Sequence, residues 1–440
     1  MIADLRASYN ARFTTSRYDR FLDLLEKRAG TRIEFRVAET PVFLPLTVLD
    51  GIAAAGAELA RRLLGWPEYL AGARASIPEA FRVADETSHP HFLTADFALI
   101  RNAEGELTPR LVEIQAFPSV FAYQAMLAEA YREVFELPED LGTYFPGIDE
   151  ESFWALMRQA IVGNHAPEHV VLTEVEPERQ KTLPDFRLTA ERLGIAVVDI
   201  ASLEPVGHKL HYRDGHGRLI RVDRIYNRAI ADEMMAKQIR LPFDLRRSWE
   251  VQWAGHPNWY FLISKYSVPW LSTGSGLQDA ASGHAVSGNV TGGDEASRVV
   301  PPAVFLDDFL EGDGRGRLEA AGVRLPEGNG AGVVYEELLL KPLFSFAGKG
   351  IQFAPSRLEL ESIAAEERKD YLLQQRMHFV PTIETPEGLT QAEIRILYIW
   401  PDGGSLTPVL PLVRLGRGKM MGVDHNRNQA WVGASAAFWR

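Results

Sequence analysis

Three groups of polar residues stand at the ends of apolar runs, spaced as phosphate and metal chemistry would need them. In YEELLLKPLFSFAGKGIQF, residues 335–353, an apolar run from Val333 to Leu340 delivers Lys341 and breaks into Ser345, Ala347, Gly348, Lys349 and Gly350 before Ile351. Glycines let backbone N–H groups approach an anion, and a lysine at a strand end adds a mobile positive charge, so the combination suits a polyphosphate. A plain hairpin turn has the same composition. Asp96, in TADFALI, and Glu113 with Gln115, in LVEIQAF, lie on two apolar runs separated by one turn. Period two places Glu113 and Gln115 on one face of a strand. With Asp96 on that face, three oxygen-bearing side chains converge, which suits Mg²⁺ held beside phosphate; solvated acids on an outer hairpin face are the alternative. Further on, Gln374, Gln375 and Arg376 end an apolar strand, and Glu393 and Arg395 sit two apart on the next. The first set suits the edge of a nucleoside and the second a transferred phosphate. A surface ion-pair ladder would show the same spacing as the second.

The elements that must position these groups follow from periodicity. Helical spacing over 16–29, 47–64, 119–137 and 151–161 predicts packing helices, and 91–100 with 110–116 predicts a hairpin. From His169 the texture becomes strand, helix, strand (HVVLTEV, 182–193, IAVVDIA), which predicts a parallel sheet with a crossover helix. KLHYRD and RLIRVDRIYNR predict a second hairpin whose distal strand runs through to Arg228. Residues 272–300, rich in Gly, Ser, Ala and Asp, predict a mobile loop. Val304–Leu310, a helix over 358–367, and the strands YLLQQRMHF and AEIRILYIW complete the chain before a basic, glycine-bearing tail.

Bulk composition narrows the function. The chain has 440 residues, 46% hydrophobic and 24% charged, with 47 basic and 59 acidic residues for a net charge of −12. This is a globular composition of two to three domains, without the basic runs of a nucleic-acid or anionic-membrane partner. Cysteine is absent, which excludes disulfides, thiolate nucleophiles and cysteine zinc sites. The N-terminus lacks the apolar stretch of a signal peptide and no run is long enough to span a bilayer, so a cytoplasmic location is expected. His89-Pro90-His91 lacks a third metal ligand, and Gly416-Arg417-Gly418-Lys419 lacks P-loop spacing. The aromatic residues of 249–270 and of AWVGASAAFWR suit core packing or a ligand groove.

The order Lys341 before a Ser/Gly loop, then LLQQRM, then EIRILYIW resembles the nucleotide-binding half of ATP-grasp ligases. There the Asp strand and the Glu-x-Asn strand that hold magnesium usually come last. Here Asp96 and Glu113-Ile114-Gln115 come early, so the chain is similar to the circularly permuted group of eukaryotic-type glutathione synthetases and glutathionylspermidine synthetases. DRIYNRAI resembles that group's Tyr-x-Arg strand, ISKYSVPWL its first ATP-lysine segment, and LPLVRLGRGKMMG its late arginine strand and glycine-rich loop.

The resemblance implies an α/β (α+β) ATP-grasp fold, circularly permuted, with an inserted small α/β lobe. Residues 1–160 would carry the metal hairpin, 165–260 the substrate lobe and 261–440 the nucleotide half. It implies an ATP-dependent carboxylate–amine ligase working through an acylphosphate, with small-molecule acid and amine substrates. Lys265, Lys341, Ser345, Gly348, Lys349, Gly350, Gln374 and Gln375 would bind ATP; Asp96, Glu113 and Gln115 would hold Mg²⁺; Arg228, Arg395 and Arg414, with Arg417 and Lys419 nearby, would face the reacting groups. The sequence departs from the group at Gln115, which replaces an asparagine; at Ser345, which replaces a glutamate; and at Thr94-Ala95, where a substrate arginine is lost. A degenerate, ligand-binding regulatory protein is the second expectation, and a carbohydrate- or peptide-binding protein without nucleotide the third.

Overall fold

A computed structural model describes residues 1–102, 105–273, 295–328, 330–344, 350–418, 421, 426 and 428–440. Ser345, Gly348, Lys349, Lys419 and most of the 272–300 segment therefore lie outside the described residues. Among the described residues seven α-helices precede residue 200: α1 (Ala3–Arg12), α2 (Thr15–Ala29), α3 (Leu46–Leu64), α4 (Pro67–Ala75), α5 (Phe121–Phe135), α6 (Glu150–Ile161) and α7 (Leu183–Leu193). All but α1 and α4 fall on stretches whose spacing predicts them. Their ends obey local chemistry: the Thr14 side chain accepts from the Arg17 N–H to start α2, Gly30 ends it at φ +62°, and Asp149 with Ser152 forms a capping box for α6.

In chain order the strands are β1 (Val42–Leu44), β2 (Phe92–Arg101), β3 (Leu107–Gln115), β4 (Val170–Glu174), β5 (Ala196–Asp199), β6 (Glu204–Val206), β7 (Lys209–Arg213), β8 (Leu219–Val222), β9 (Arg224–Asn227) and β10 (Gln252–Ala254). Then come β11 (Ala303–Phe305), β12 (Leu338–Pro342), β13 (Gln352–Phe353), β14 (Tyr371–Gln375), β15 (Ile383–Thr385), β16 (Gly388–Ile399), β17 (Thr407–Gly416) and β18 (Gly433–Trp439). A seven-stranded sheet runs β1-β18-β17-β16-β2-β3, with β15 paired to β16. It draws strands from both the first and the last third of the chain.

Alternation along β2 and β16 divides the two faces of that sheet. Ala95, Phe97, Ile394, Ile396 and Tyr398 share one apolar cluster with Leu49, Ile52, Leu59 and Ala60 of α3. Gly56 permits the close approach: a Cβ there would lie 2.3 Å from the Tyr398 hydroxyl and 3.1 Å from the Ala95 Cβ. The same hydroxyl donates to the Ala53 carbonyl at 2.8 Å. The intervening residues, Asp96, Glu393 and Arg395, therefore point away from α3. On β3 the register shifts opposite Asp96/Phe97, so that Asp96 pairs with Glu113 and Phe97 with Leu111. That bulge at Val112 lets Leu111 and Ile114 both enter the α3 cluster while Glu113 faces the same side as Asp96.

The expected strand–helix–strand unit is present as β4-α7-β5. It belongs to a four-stranded sheet, order β10-β9-β4-β5, in which every pairing is parallel. The expected second hairpin is divided at Asp223: β8 pairs antiparallel with β7, whereas β9 joins the parallel sheet. Asp223 turns the chain between them, its carboxylate held by His169 Nδ1 at 2.9 Å and Arg221 Nε at 2.8 Å. A further four-stranded antiparallel sheet, β11-β14-β12-β13, carries Lys341. There the apolar run from Val333 becomes strand only at Leu338; before it, Tyr335 is buried and packs edge-on against Phe309. Among the described residues no helix is long and apolar enough to cross a membrane.

Candidate functional site

On the face opposite α3, a row of charges crosses the large sheet. Glu113 of β3, Asp96 of β2 and Arg395 of β16 are register neighbours, and Glu393 of β16 is paired with Arg414 of β17. Arg395 donates through Nε to Asp96 Oδ1 at 2.5 Å and through Nη2 to Oδ2 at 2.6 Å. It also reaches the Ser119 hydroxyl at 3.1 Å and stands 3.8 Å from Glu113 Oε1. Arg414 Nη2 contacts both Asp96 Oδ2 and Glu393 Oε1. Asp96 is 1% exposed. Burial favours its neutral form, but the two guanidinium groups outweigh burial and hold its pKa below the usual carboxylate value. Glu393 lacks so favourable a setting, and burial pushes it up to about 7 against the pull of Arg414.

Lys341 comes to this row from the other side of the cleft. On β14, Gln374 and Leu372 alternate with Leu373, which packs into its own sheet's core. Their partners on β12, Leu339 and Lys341, share their face. Lys341 is 4% exposed, and among the described residues its ammonium has no hydrogen-bond partner. Burial and the like charge of Lys265 lower its pKa to about 8, opposed by Glu113 and Glu393. Lys265, also buried, lines a small cleft with Gln115, Tyr260, Ser264, Leu343 and Phe344. Gln374 is fully buried, and among the described residues both of its amide atoms are unpartnered, while Gln375 offers its backbone N–H to the Pro302 carbonyl. Gly350 sits at φ +73°, a left-handed turn that favours glycine.

Several expected residues are placed differently. Arg228 does not open toward the row: its Nη1 donates to Asp185 at 2.6 Å and to the Ser119 carbonyl at 2.8 Å, and its guanidinium lies 5.0 Å from the Phe186 ring centre. Burial works against its charge, yet Tyr226, Asp185 and Glu174 around it raise its pKa. Arg417 turns to the β15–β16 hairpin, donating to Thr385 Oγ1 at 3.1 Å. His91 is engaged by Asp402 at 2.9 Å and by Arg224 at 3.1 Å, which accounts for it without a metal. The apolar spacing does not mark Ser119, Asp185 or Glu174. Glu174 ends β4 beside β9, where the strand order of the parallel sheet reverses; burial carries its pKa up to about 8.

The magnesium expectation meets a difficulty in Asp96. Both of its oxygens accept charge-assisted bonds from guanidinium groups, leaving Glu113 and Gln115 without the third oxygen ligand. Among the described residues no group of three His, Asp or Glu side chains is arranged to hold a metal ion. In this arrangement Asp96, Glu113 and Gln115 do not fit a Mg²⁺ cage, which needs open oxygens in octahedral order.

The fold is a mixed α/β arrangement of the glutathione synthetase-like kind. The glutathione synthetase-like effector of Globodera pallida, in its apo form, superposes with a TM-score of 0.51 at 12% identity, over 97% of this chain and 96% of that one. A putative gamma-glutamylcysteine synthetase of Methylobacillus flagellatus aligns over 88% of each chain at 13% identity, but its TM-score of 0.35 is below that of a shared fold. No protein-family model matches the sequence, and no curated protein matches it.

Proposed function

We propose that this chain is a circularly permuted ATP-grasp protein acting as an ATP-dependent carboxylate–amine ligase. The observation that carries the reading is the meeting of two sheets over one charged row: Lys341 of the β11–β14 sheet feels Glu113 and Glu393 of the seven-stranded sheet, with Lys265 beside it. On this reading residues 1–160 and 261–440 together make the nucleotide cleft, and 165–260 form the acceptor lobe. Lys265 and Lys341 neutralise phosphate charge. Gln374, with a free amide donor and acceptor on the same face as Lys341, meets the nucleoside. Arg395 and Arg414 steady the transferring phosphoryl group. A substrate carboxylate oxygen attacks the γ-phosphorus as the bond to ADP breaks, and an amine then displaces phosphate from the acylphosphate, losing a proton as the amide forms. Such chemistry rests on positioning and charge neutralisation, so a chain without cysteine suffices.

The clamp on Asp96 favours a second reading, a nucleotide-binding protein without turnover. Phosphate release from ATP across a panel of amino acids, polyamines and small peptides separates the two, with thermal unfolding run in parallel. At roughly a hundred times its dissociation constant, ATP adds about 2.7 kcal/mol of stability. Turnover with one acid–amine pair, lost in Lys341→Ala, supports the ligase. Stabilisation without turnover supports the second reading, and no stabilisation by ATP defeats both.

A further inference from the structure

Asp232 lies in the first turn of the short helix Ala231–Ala236, and its two carboxylate oxygens are differently placed. Oδ2 accepts from the Tyr260 hydroxyl at 2.7 Å. Oδ1 is buried and, among the described residues, has no hydrogen-bond partner. Lys237, at the end of the same helix, is already committed to Glu176 and Glu233, each at 2.8 Å. Burial, then the carboxylates of Asp232 and Glu113, hold the Tyr260 phenol well above its ordinary pKa, so Tyr260 stays a donor and fixes Oδ2. The same ring lines the cleft that Gln115 and Phe344 share, and stands edge-on to Phe117 with ring centres 5.8 Å apart. Tyr260 thus joins Asp232 to the end of β3.

A carboxylate with one buried, unfilled oxygen calls for a donor that also carries positive charge. A neutral hydroxyl would make the bond and leave the charge uncompensated, and an anion would meet Asp232 and Glu113 together. A metal ion finds no cage here, since among the described residues no three His, Asp or Glu side chains are arranged to hold one. An alkylammonium supplies N–H donors, a full charge and a hydrocarbon body that suits the aromatic rings of Tyr260 and Phe117. From this geometry we infer that Asp232, steadied by Tyr260, is the recognition point for a protonated alkylamine. Neither residue belongs to the motifs that carry the family resemblance. The inference deepens the ligase reading by giving the amine substrate a docking point, and rests on that reading only for calling the ligand a substrate. Binding itself needs neither ATP nor turnover.

The test uses the full chain without nucleotide, at about pH 7 where an alkylamine is protonated, titrated with propylammonium chloride and followed by ligand-observed NMR and thermal unfolding. Propan-1-ol, sodium propionate and tetramethylammonium chloride, compared at equal ionic strength, remove in turn the charge, its sign and the N–H donors. Saturable binding of propylammonium alone is expected, with affinity lowered roughly tenfold or more in Asp232→Asn, the loss of about one charge-assisted bond. The comparison of the four probes needs no variant, and Asp232→Ser replaces Asp232→Asn should the latter fail to fold. No saturable binding of propylammonium, an equal response to propan-1-ol or tetramethylammonium, or an unchanged affinity in the Asp232 variant would overturn the inference. Propylammonium binding that is lost with Asp232, in a protein that ATP does not stabilise, would uphold it while defeating the ligase reading. Stabilisation by ATP with no propylammonium binding would defeat this inference and leave the ligase reading standing.

Discussion

Asp96 and Arg395 face each other across β2 and β16 in register, and the guanidinium covers both carboxylate oxygens. Removing one member of a buried pair leaves the other charged and unsolvated, which costs about 3–5 kcal/mol. Asp96→Ala and Arg395→Ala should each lose stability of that order in urea unfolding. The double variant should lose markedly less than the sum. Strict additivity would show that the two side chains do not act as a pair.

Burial lowers the pKa of Lys341 to about 8. Between pH 8 and 10.5 the unfolded chain then binds more protons at this position than the folded one. Its contribution therefore makes stability rise with pH across that window, as the cost of a buried ammonium is relieved. Anion binding should move the other way and weaken above pH 8 as the ammonium is lost. ATP affinity measured from pH 7.5 to 9.5 should fall through pH 8 in the unaltered protein, and Lys341→Arg should remove that fall.

Glu393 is raised to about 7. From pH 4.5 to 7 the folded chain holds a proton that the unfolded chain has released, so this residue's contribution to stability declines as pH rises through that range. Glu174, raised to about 8, acts in the same direction over an overlapping window. Glu393→Gln should therefore flatten part of the stability slope between pH 4.5 and 7, and adding Glu174→Gln should flatten it further. A slope unchanged in the double variant would contradict the burial of both carboxyls.

Gly56 tests how α3 sits on the sheet. Gly56→Ala would set a methyl against the Tyr398 hydroxyl and should cost about 1–3 kcal/mol despite the better helix propensity of alanine. Adding Tyr398→Phe removes the atom most closely approached and should recover part of that loss. No recovery would place the clash at the Ala95 Cβ, the other close neighbour.

The parts of this architecture that local patterns control were legible in the chain. Alternation marked β2, β3, β14 and β16, and apolar spacing marked α2, α3 and α5, because burying one face dictates residue choice at every turn or pleat. The pairing of Asp96 with Glu113 was half legible. Glu113 and Gln115 share a face by period, but the bulge at Val112 that brings Glu113 opposite Asp96 leaves no compositional trace. That Arg395 meets Asp96 was not legible, because nothing in one strand's sequence tells which carboxylate its neighbour presents. The pairing of Arg228 with Asp185 was illegible for the same reason: Asp185 lies on α7, and a helix-to-strand ion pair has no fixed spacing. Ser119 follows a proline in an irregular segment, where periodicity carries no signal.

The large sheet also sets the order in which the molecule can assemble. Val42 pairs in parallel with Ala437, and β18 is held on its other side by β17. A growing chain therefore keeps β1, with α3 and the apolar face of β2, without their partner strands until residues 388–439 have been made. The β4-α7-β5 unit closes locally and can form long before. Pairings this distant make folding slow and leave strand edges exposed meanwhile, so the charged row on the sheet should be among the last features of the molecule to come into existence.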